Sequence, residues 1–140
     1  MTAQIEAMVR RWVDNVLGQG QLAIIDELYA PEFVNLSQSA QPPGPAGVKQ
    51  GVAQLRAAFS DLQLTIDDLV ACADRVVWMY TARGTHTGEF GGIAPTGRPV
   101  EYRGVVLMRV ADGRFTEGRG LVDMLAFVQQ LGLIQTAPAQ

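Results

Sequence analysis

The sequence predicts an α+β domain in which helices pack on one side of a mostly antiparallel sheet. Two observations lead there. Apolar residues recur at three- and four-residue intervals as far as Phe59, and after Asp61 they alternate with polar residues in runs separated by Gly-containing turns. At 140 residues the chain is expected to be one domain spanning 1–140, with a single core.

Each element has its own signal. Ile5, Met8, Val9, Trp12, Val13 and Val16 lie on one helical face, and Gly18 and Gly20 break the pattern. Leu22, Ile25, Leu28 and Tyr29 suggest a short second helix, which Pro31 closes by disfavouring helical geometry at Ala30. The chain then extends through Phe33 and Val34. Residues 37–47 are rich in Ser, Pro and Gly and suit a loop over a cavity mouth. Pro45 fits the first turn of a third helix, whose buried stripe is Val48, Val52, Leu55 and Phe59.

Leu62, Leu64 and Ile66 alternate as in a half-buried strand, and the runs 75–83, 99–110 and 114–121 read as further strands. Trp12, Leu28, Phe59, Val76 and Leu125 are expected in the core. The stretch 105–108, Val-Val-Leu-Met, is apolar on both faces of its strand. One face can meet the helices. A second copy of the sheet is the simplest cover for the other, so a homodimer or higher homo-oligomer is expected.

Composition excludes several classes of function. Net charge is only −3 and the basic residues are scattered, so neither nucleic acid nor an anionic membrane is an expected partner. No apolar run approaches the roughly twenty residues of a membrane span, and no cleavable leader is evident, which points to a cytoplasmic protein. Cys72 stands alone, ruling out an internal disulfide or a cysteine-based metal site. There is no phosphate-binding Gly-rich loop, no metal-ligand spacing and no Gly-x-Ser-x-Gly elbow. No cofactor is expected, and cofactor-free acid–base chemistry or ligand binding on an apolar small molecule remains.

Candidate site residues follow from that chemistry. Asp123 stands between Leu121-Val122 and Met124-Leu125, side chains that would desolvate a carboxylate and let it exchange a proton near neutrality. It can equally serve as the N-cap of a last helix. His86, the only histidine, can act as acid, base or donor, or be held in its Gly-rich turn by backbone contacts. A regular strand from Val76 would put Trp78, Tyr80 and His86 on one wall. Trp78, Tyr80 and Tyr102, with Phe59 at the end of its helix, can line a ring-shaped ligand and offer hydroxyls to an oxyanion, or simply fill the core. Asn35 can orient a carbonyl or form a turn. If the last strand is regular, Arg119 shares a face with Phe115 and enters the cavity; a bend at Gly118 and Gly120 would instead turn it to solvent.

An ordered set of motifs runs through nearly the whole chain: Leu28-Tyr29-Ala30-Pro31-Glu32-Phe33-Val34-Asn35, Gly84-Thr85-His86-Thr87-Gly88-Glu89-Phe90, Pro95-Thr96-Gly97-Arg98, and Asp123 followed by Gln130-Leu131-Gly132. By these residues the chain resembles the SnoaL-like polyketide cyclase and ester cyclase family. The resemblance implies a cone-shaped α+β barrel with a deep pocket, and a catalytic acid/base at Asp123 for an intramolecular aldol ring closure. Leu36 and Arg119 replace the histidine and tryptophan common in relatives, which points to a different substrate or reaction. Epoxide hydrolysis, hydration or isomerisation in the same pocket, and ligand binding without catalysis, are the competing expectations.

Overall fold

The computed structural model describes residues 2–38 and 40–134. The chain opens with α1 (Thr2–Arg11), whose last turns widen into a π-helical segment, Trp12–Leu17. The Gly18 N–H reaches back five residues to the Val13 carbonyl at 3.0 Å. Four of the six π-helical residues, Trp12, Val13, Val16 and Leu17, are buried. Helix α2 (Ala23–Leu28) follows, and Tyr29 is already the first residue of strand β1 (Tyr29–Asn35) rather than the end of the helix. Pro31 is tolerated there because β1 lies at a sheet edge. Helix α3 (Gly44–Ala58) has Pro45 in its first turn.

The remaining strands are β2 (Gln63–Ala71), β3 (Arg75–Thr85), β4 (Pro99–Ala111) and β5 (Arg114–Val122), and helix α4 (Met124–Gln130) comes last. The five strands form one open sheet in the order β1-β5-β4-β3-β2. Only the β1–β5 pair is parallel. The sheet does not close on itself; helices cover its inner face, so the expected barrel is a sheet completed by helices.

Two bulges decide which side chains face inward. Ile66 pairs with Tyr80 but Asp68 with Met79, which leaves Asp67 as an extra residue in β2. In β5, Phe115 pairs with Val110 but Glu117 with Arg109, so Thr116 is extra. Past Thr116 the alternation is inverted. Phe115, Gly118 and Gly120 face inward, whereas Glu117, Arg119 and Leu121 face outward.

The inner face carries two apolar clusters. One joins α1, the π-helical turn, α2, β1 and α3 to Val76, Trp78, Met108 and Phe115. The other gathers Phe59, Leu62, Ala82, Val100, Tyr102, Phe127 and Leu131. Of the five expected core residues, Trp12, Leu28, Phe59 and Val76 are buried, but Leu125 is 59% exposed. Helix α4 packs by Phe127, and a residue two positions away on a 3.6-residue period faces the opposite side.

The second cluster is pinned at one corner by Asp61. Its carboxylate accepts the Thr85 N–H at 2.7 Å and the Thr85 hydroxyl at 2.8 Å, tying the chain entering β2 to the end of β3. The Thr85 backbone N–H first, and its hydroxyl second, hold the Asp61 carboxyl below the usual carboxylate range. A lowered value means this contribution is present above the carboxylate range and is lost as pH falls through it. Hydrogen exchange should therefore show the protection of the Thr85 amide declining in acid. Asp61→Asn should start with lower protection and lack that acid dependence; an unchanged acid dependence in the variant would show that another group governs this corner.

Candidate active site

A cavity of about 890 Å³ opens between the two clusters. Its walls come from Trp12 and Leu17 of the π-helical turn, Tyr29 and Phe33 of β1, Val48, Val52 and Leu55 of α3, Val106 and Met108 of β4, and Phe127 of α4. The polar groups reaching it are mainly uncharged: Tyr29, Tyr80 and Tyr102, and the amides of Asn35, Gln38, Gln41 and Gln54. Glu89 and Arg119 border it as exposed charged residues.

All three tyrosines of the chain line this space. The sole sealed side-chain polar atom without a partner among the described residues is Nε2 of His86, so no phenolic hydroxyl is both sealed and unpaired. Burial raises the Tyr29, Tyr80 and Tyr102 phenols above their usual value, and charge on Tyr80 adds to the effect at Tyr102. All three therefore stay protonated, as donors, well past neutrality. Gly104, paired with Tyr80 across β3 and β4, makes the room: a side chain there would collide with the Tyr80 ring. Tyr29 escaped the sequence reading because it extends the apolar period of α2; Pro31 was the available sign that the helix had already ended.

The other candidates fall into three places. Asn35, Tyr80 and Tyr102 line the cavity together. Trp78 shares the inner face of β3 with Tyr80, as expected, but it is sealed in the first cluster, in register with Leu69 and Val106, and does not line the cavity. Phe59 also stands behind the cavity surface, packed on His86, Phe90, Tyr102 and Phe127 with ring centroids 5.4 to 6.3 Å apart.

His86 is fully buried between Phe59 and Phe127 and does not reach the cavity surface. Its Nδ1 lies 3.3 Å from the Thr96 backbone N–H and 3.1 Å from the Thr96 hydroxyl. An N–H can only donate, so Nδ1 accepts and the ring proton of the neutral imidazole sits on Nε2. That donor is the orphan noted above. Phe127, which lines the cavity, separates it from the ligand space.

Asp123 caps α4, its Oδ1 accepting the Ala126 N–H at 3.0 Å. It is exposed, so the desolvation expected from its apolar neighbours does not occur: Met124 and Leu125 turn their side chains to solvent. Its chain neighbours Val122 and Met124 border the cavity, while the Asp123 side chain is outside the lining. The Thr116 bulge takes Arg119 off the face of Phe115. Arg119 lies on the outward set, opposite Leu107, and is exposed. It borders the cavity where Gly118 and Gly120 leave the strand without inward side chains. Among the described residues no cluster of three or more His, Cys, Asp or Glu is placed to hold a metal ion, and no helix is long and apolar enough to cross a membrane.

Comparison with known proteins gives this geometry a lineage. The sequence profile of the SnoaL-like polyketide cyclase family matches residues 7–131. A nogalonic acid methyl ester cyclase of Streptomyces nogalater is 29% identical over 118 residues, covering 81% of this chain and 87% of the relative. An aklanonic acid methyl ester cyclase of Streptomyces sp. (strain C5) is 27% identical over 138 residues, covering 94% and 83%. The structure of TsrD from Streptomyces laurentii superposes with a TM-score of 0.89 at 25% identity, over 94% of this chain and 97% of TsrD. The open sheet, the helical cover, the cavity between them and the match over most of the sequence lead to one conclusion: the chain belongs to the SnoaL-like polyketide cyclase family.

Proposed function

We propose that the protein is a cofactor-independent cyclase that closes a ring in an apolar, polyketide-like carbonyl compound by an intramolecular aldol reaction. The observation that carries this reading is a large, mainly apolar cavity with three neutral phenols in its wall and Glu89 on its border, Asp123 standing in the chain between two bordering residues. In this scheme the carboxylate of Asp123, exposed next to the cavity border, takes a proton from the carbon beside a carbonyl. Tyr80 and Tyr102 donate to the enolate oxygen that forms. The enolate carbon attacks a second carbonyl of the same molecule, and the resulting alkoxide recovers the proton. The reaction needs no redox partner, and holding both carbonyls in one cavity lowers its entropic barrier. His86 is a positioning residue in this scheme, holding the Phe59–Phe127 wall from behind.

The acid/base is tested against its nearest rival. Glu89 is the carboxylate residue that lines the cavity directly, whereas one oxygen of Asp123 is engaged in capping. With the methyl esters named for the relatives as trial substrates, Asp123→Asn should lower kcat by about 10²-fold or more and leave the melting temperature nearly unchanged. His86→Gln should lose less. A collapse of turnover in Glu89→Gln with Asp123→Asn fully active would transfer the role to Glu89, and solvent oxygen in the product would replace ring closure by hydration.

The phenols make a second test. A raised phenol value contributes stability that is complete below the usual tyrosine range near 10 and is lost as pH climbs above it. Tyrosinate absorbance should stay flat through that range and then rise together with unfolding. Gly104→Ala, by displacing Tyr80, should bring one phenol back to ordinary titration and weaken binding of aromatic ketones. Three phenols titrating normally in the folded wild type would show them open to water rather than set in the cavity wall.

We further propose that the protein is a homodimer joined through the outer sheet face. Registers place Val70, Val77 and Leu107 in one row and Met79, Val105 and Leu121 beside it. Val70 is 68%, Met79 49% and Leu121 75% exposed, an apolar strip that one chain leaves uncovered. Sedimentation should give a dimer at micromolar concentration and a monomer for Met79→Asp; a wild-type monomer would refute the assembly without touching the site.

A further inference from the structure

This inference rests on the cavity reading above and concerns the amides near its mouth, where atom identities follow from hydrogen-bond logic. The Ser37 backbone N–H can only donate, so the Asn35 atom 2.9 Å from it is the carbonyl oxygen Oδ1. Asn35 therefore turns Nδ2 toward Gln41, at 3.1 Å. Since Nδ2 can only donate, the Gln41 atom it meets is Oε1. The acceptor of Gln41 is thus engaged, and the end left over is Nε2 with its two N–H groups.

The arrangement is built into the loop and helix around it. The Ser37 hydroxyl accepts the Gly120 N–H at 2.7 Å, anchoring the loop to β5. Gly47 and Gly51, one turn apart on α3, form the bed for the Gln41 side chain: an added Cβ would lie 3.0 Å from its Cγ at Gly47 and 3.9 Å from its Oε1 at Gly51. Gln41 and Gly51 both line the cavity. A side chain at Gly47 would also collide with the Pro42 carbonyl, which fixes the loop backbone beside Gln41.

We propose that Gln41 is a specificity-determining hydrogen-bond donor for a carbonyl oxygen of the ligand, and that Asn35 sets its polarity. Asn35 then acts on the ligand through Gln41, as a positioning residue. A ligand with acceptors at both ends satisfies the phenols with one and Gln41 with the other. Asn35→Asp offers an experimental reversal. Aspartate keeps an acceptor for the Ser37 N–H, and its second oxygen also accepts, so Gln41 must turn Nε2 toward it and present Oε1 to the cavity.

The test measures dissociation constants on the full chain with three neutral naphthalenes: one with an acetyl group at each end, one with an acetyl and an ethyl group, and one with an acetyl and a hydroxymethyl group. Wild type should favour the diketone over the acetyl-ethyl compound by about three- to tenfold, the worth of one neutral hydrogen bond. Gln41→Leu should abolish that preference while still binding the acetyl-ethyl compound. Asn35→Asp should move the preference to the hydroxymethyl compound. A diketone preference that survives in Gln41→Leu, or an unchanged order in Asn35→Asp, overturns the assignment. Failure of wild type to bind any of the three would refute the cavity reading itself, and this inference with it.

Discussion

The cavity depends on side chains that are missing. On the inner face of β4 and β5, Gly104 yields its place to the Tyr80 ring, and Gly118 lets Met108 and Phe33 meet, with the Met108 sulfur 2.5 Å from where a Cβ would stand. Gly120 leaves the cavity wall bare beside Val105 and Val106. Protein interiors pack to near-crystalline density, so an empty volume of this size survives only where the surrounding elements cannot collapse into it. The two apolar clusters act as abutments on either side. Phe127 belongs to one of them and faces the cavity as well, so packing and site share a residue.

Charge is distributed to suit that architecture. Ion pairs such as Arg11–Glu27, Lys49–Asp26, Arg83–Glu101 and Arg109–Glu117 all lie on the exterior, where screening leaves each with a small contribution. The interior holds phenols and amides. Such groups direct hydrogen bonds without the desolvation cost of a buried ion, and keep their donors while protonated. An apolar ligand with scattered oxygens meets little penalty on entry, whereas a free carboxylate would find, among the described lining residues, a single cation, the exposed Arg119 at the border.

Most of the architecture was legible because long periodic segments carry strong signals. The stripes of α1 and α3 and the alternation of the strands appear where the apolar periodicity placed them. What escaped the sequence has local causes. The alternation rule projects Arg119 inward only if β5 is regular, and Thr116 is a residue type that gives no warning of a bulge. Leu125 looked like core because α4 is too short for its period to be read. The motif around His86 marked a place of structural consequence, yet one ring nitrogen of its imidazole and one oxygen of Asp123 each accept a neighbouring backbone N–H, roles that residue type alone does not announce. Tyr29 and Gln41 were hidden for opposite reasons, one inside an apolar run and the other inside a polar loop.

The bulge at Asp67 has a consequence at the margin of the sheet. A β-edge with free N–H and C=O groups invites another chain to add a strand, and repeated addition leads to aggregates. Here β2 forms one margin and carries Asp67 and Asp68 in succession, the first bonded back to the Thr81 hydroxyl at 2.6 Å. The opposite margin, β1, contains Pro31, which has no N–H to offer. Both borders are thus poor templates for strand addition. Each margin of the sheet is thereby guarded against the open-ended addition of further strands.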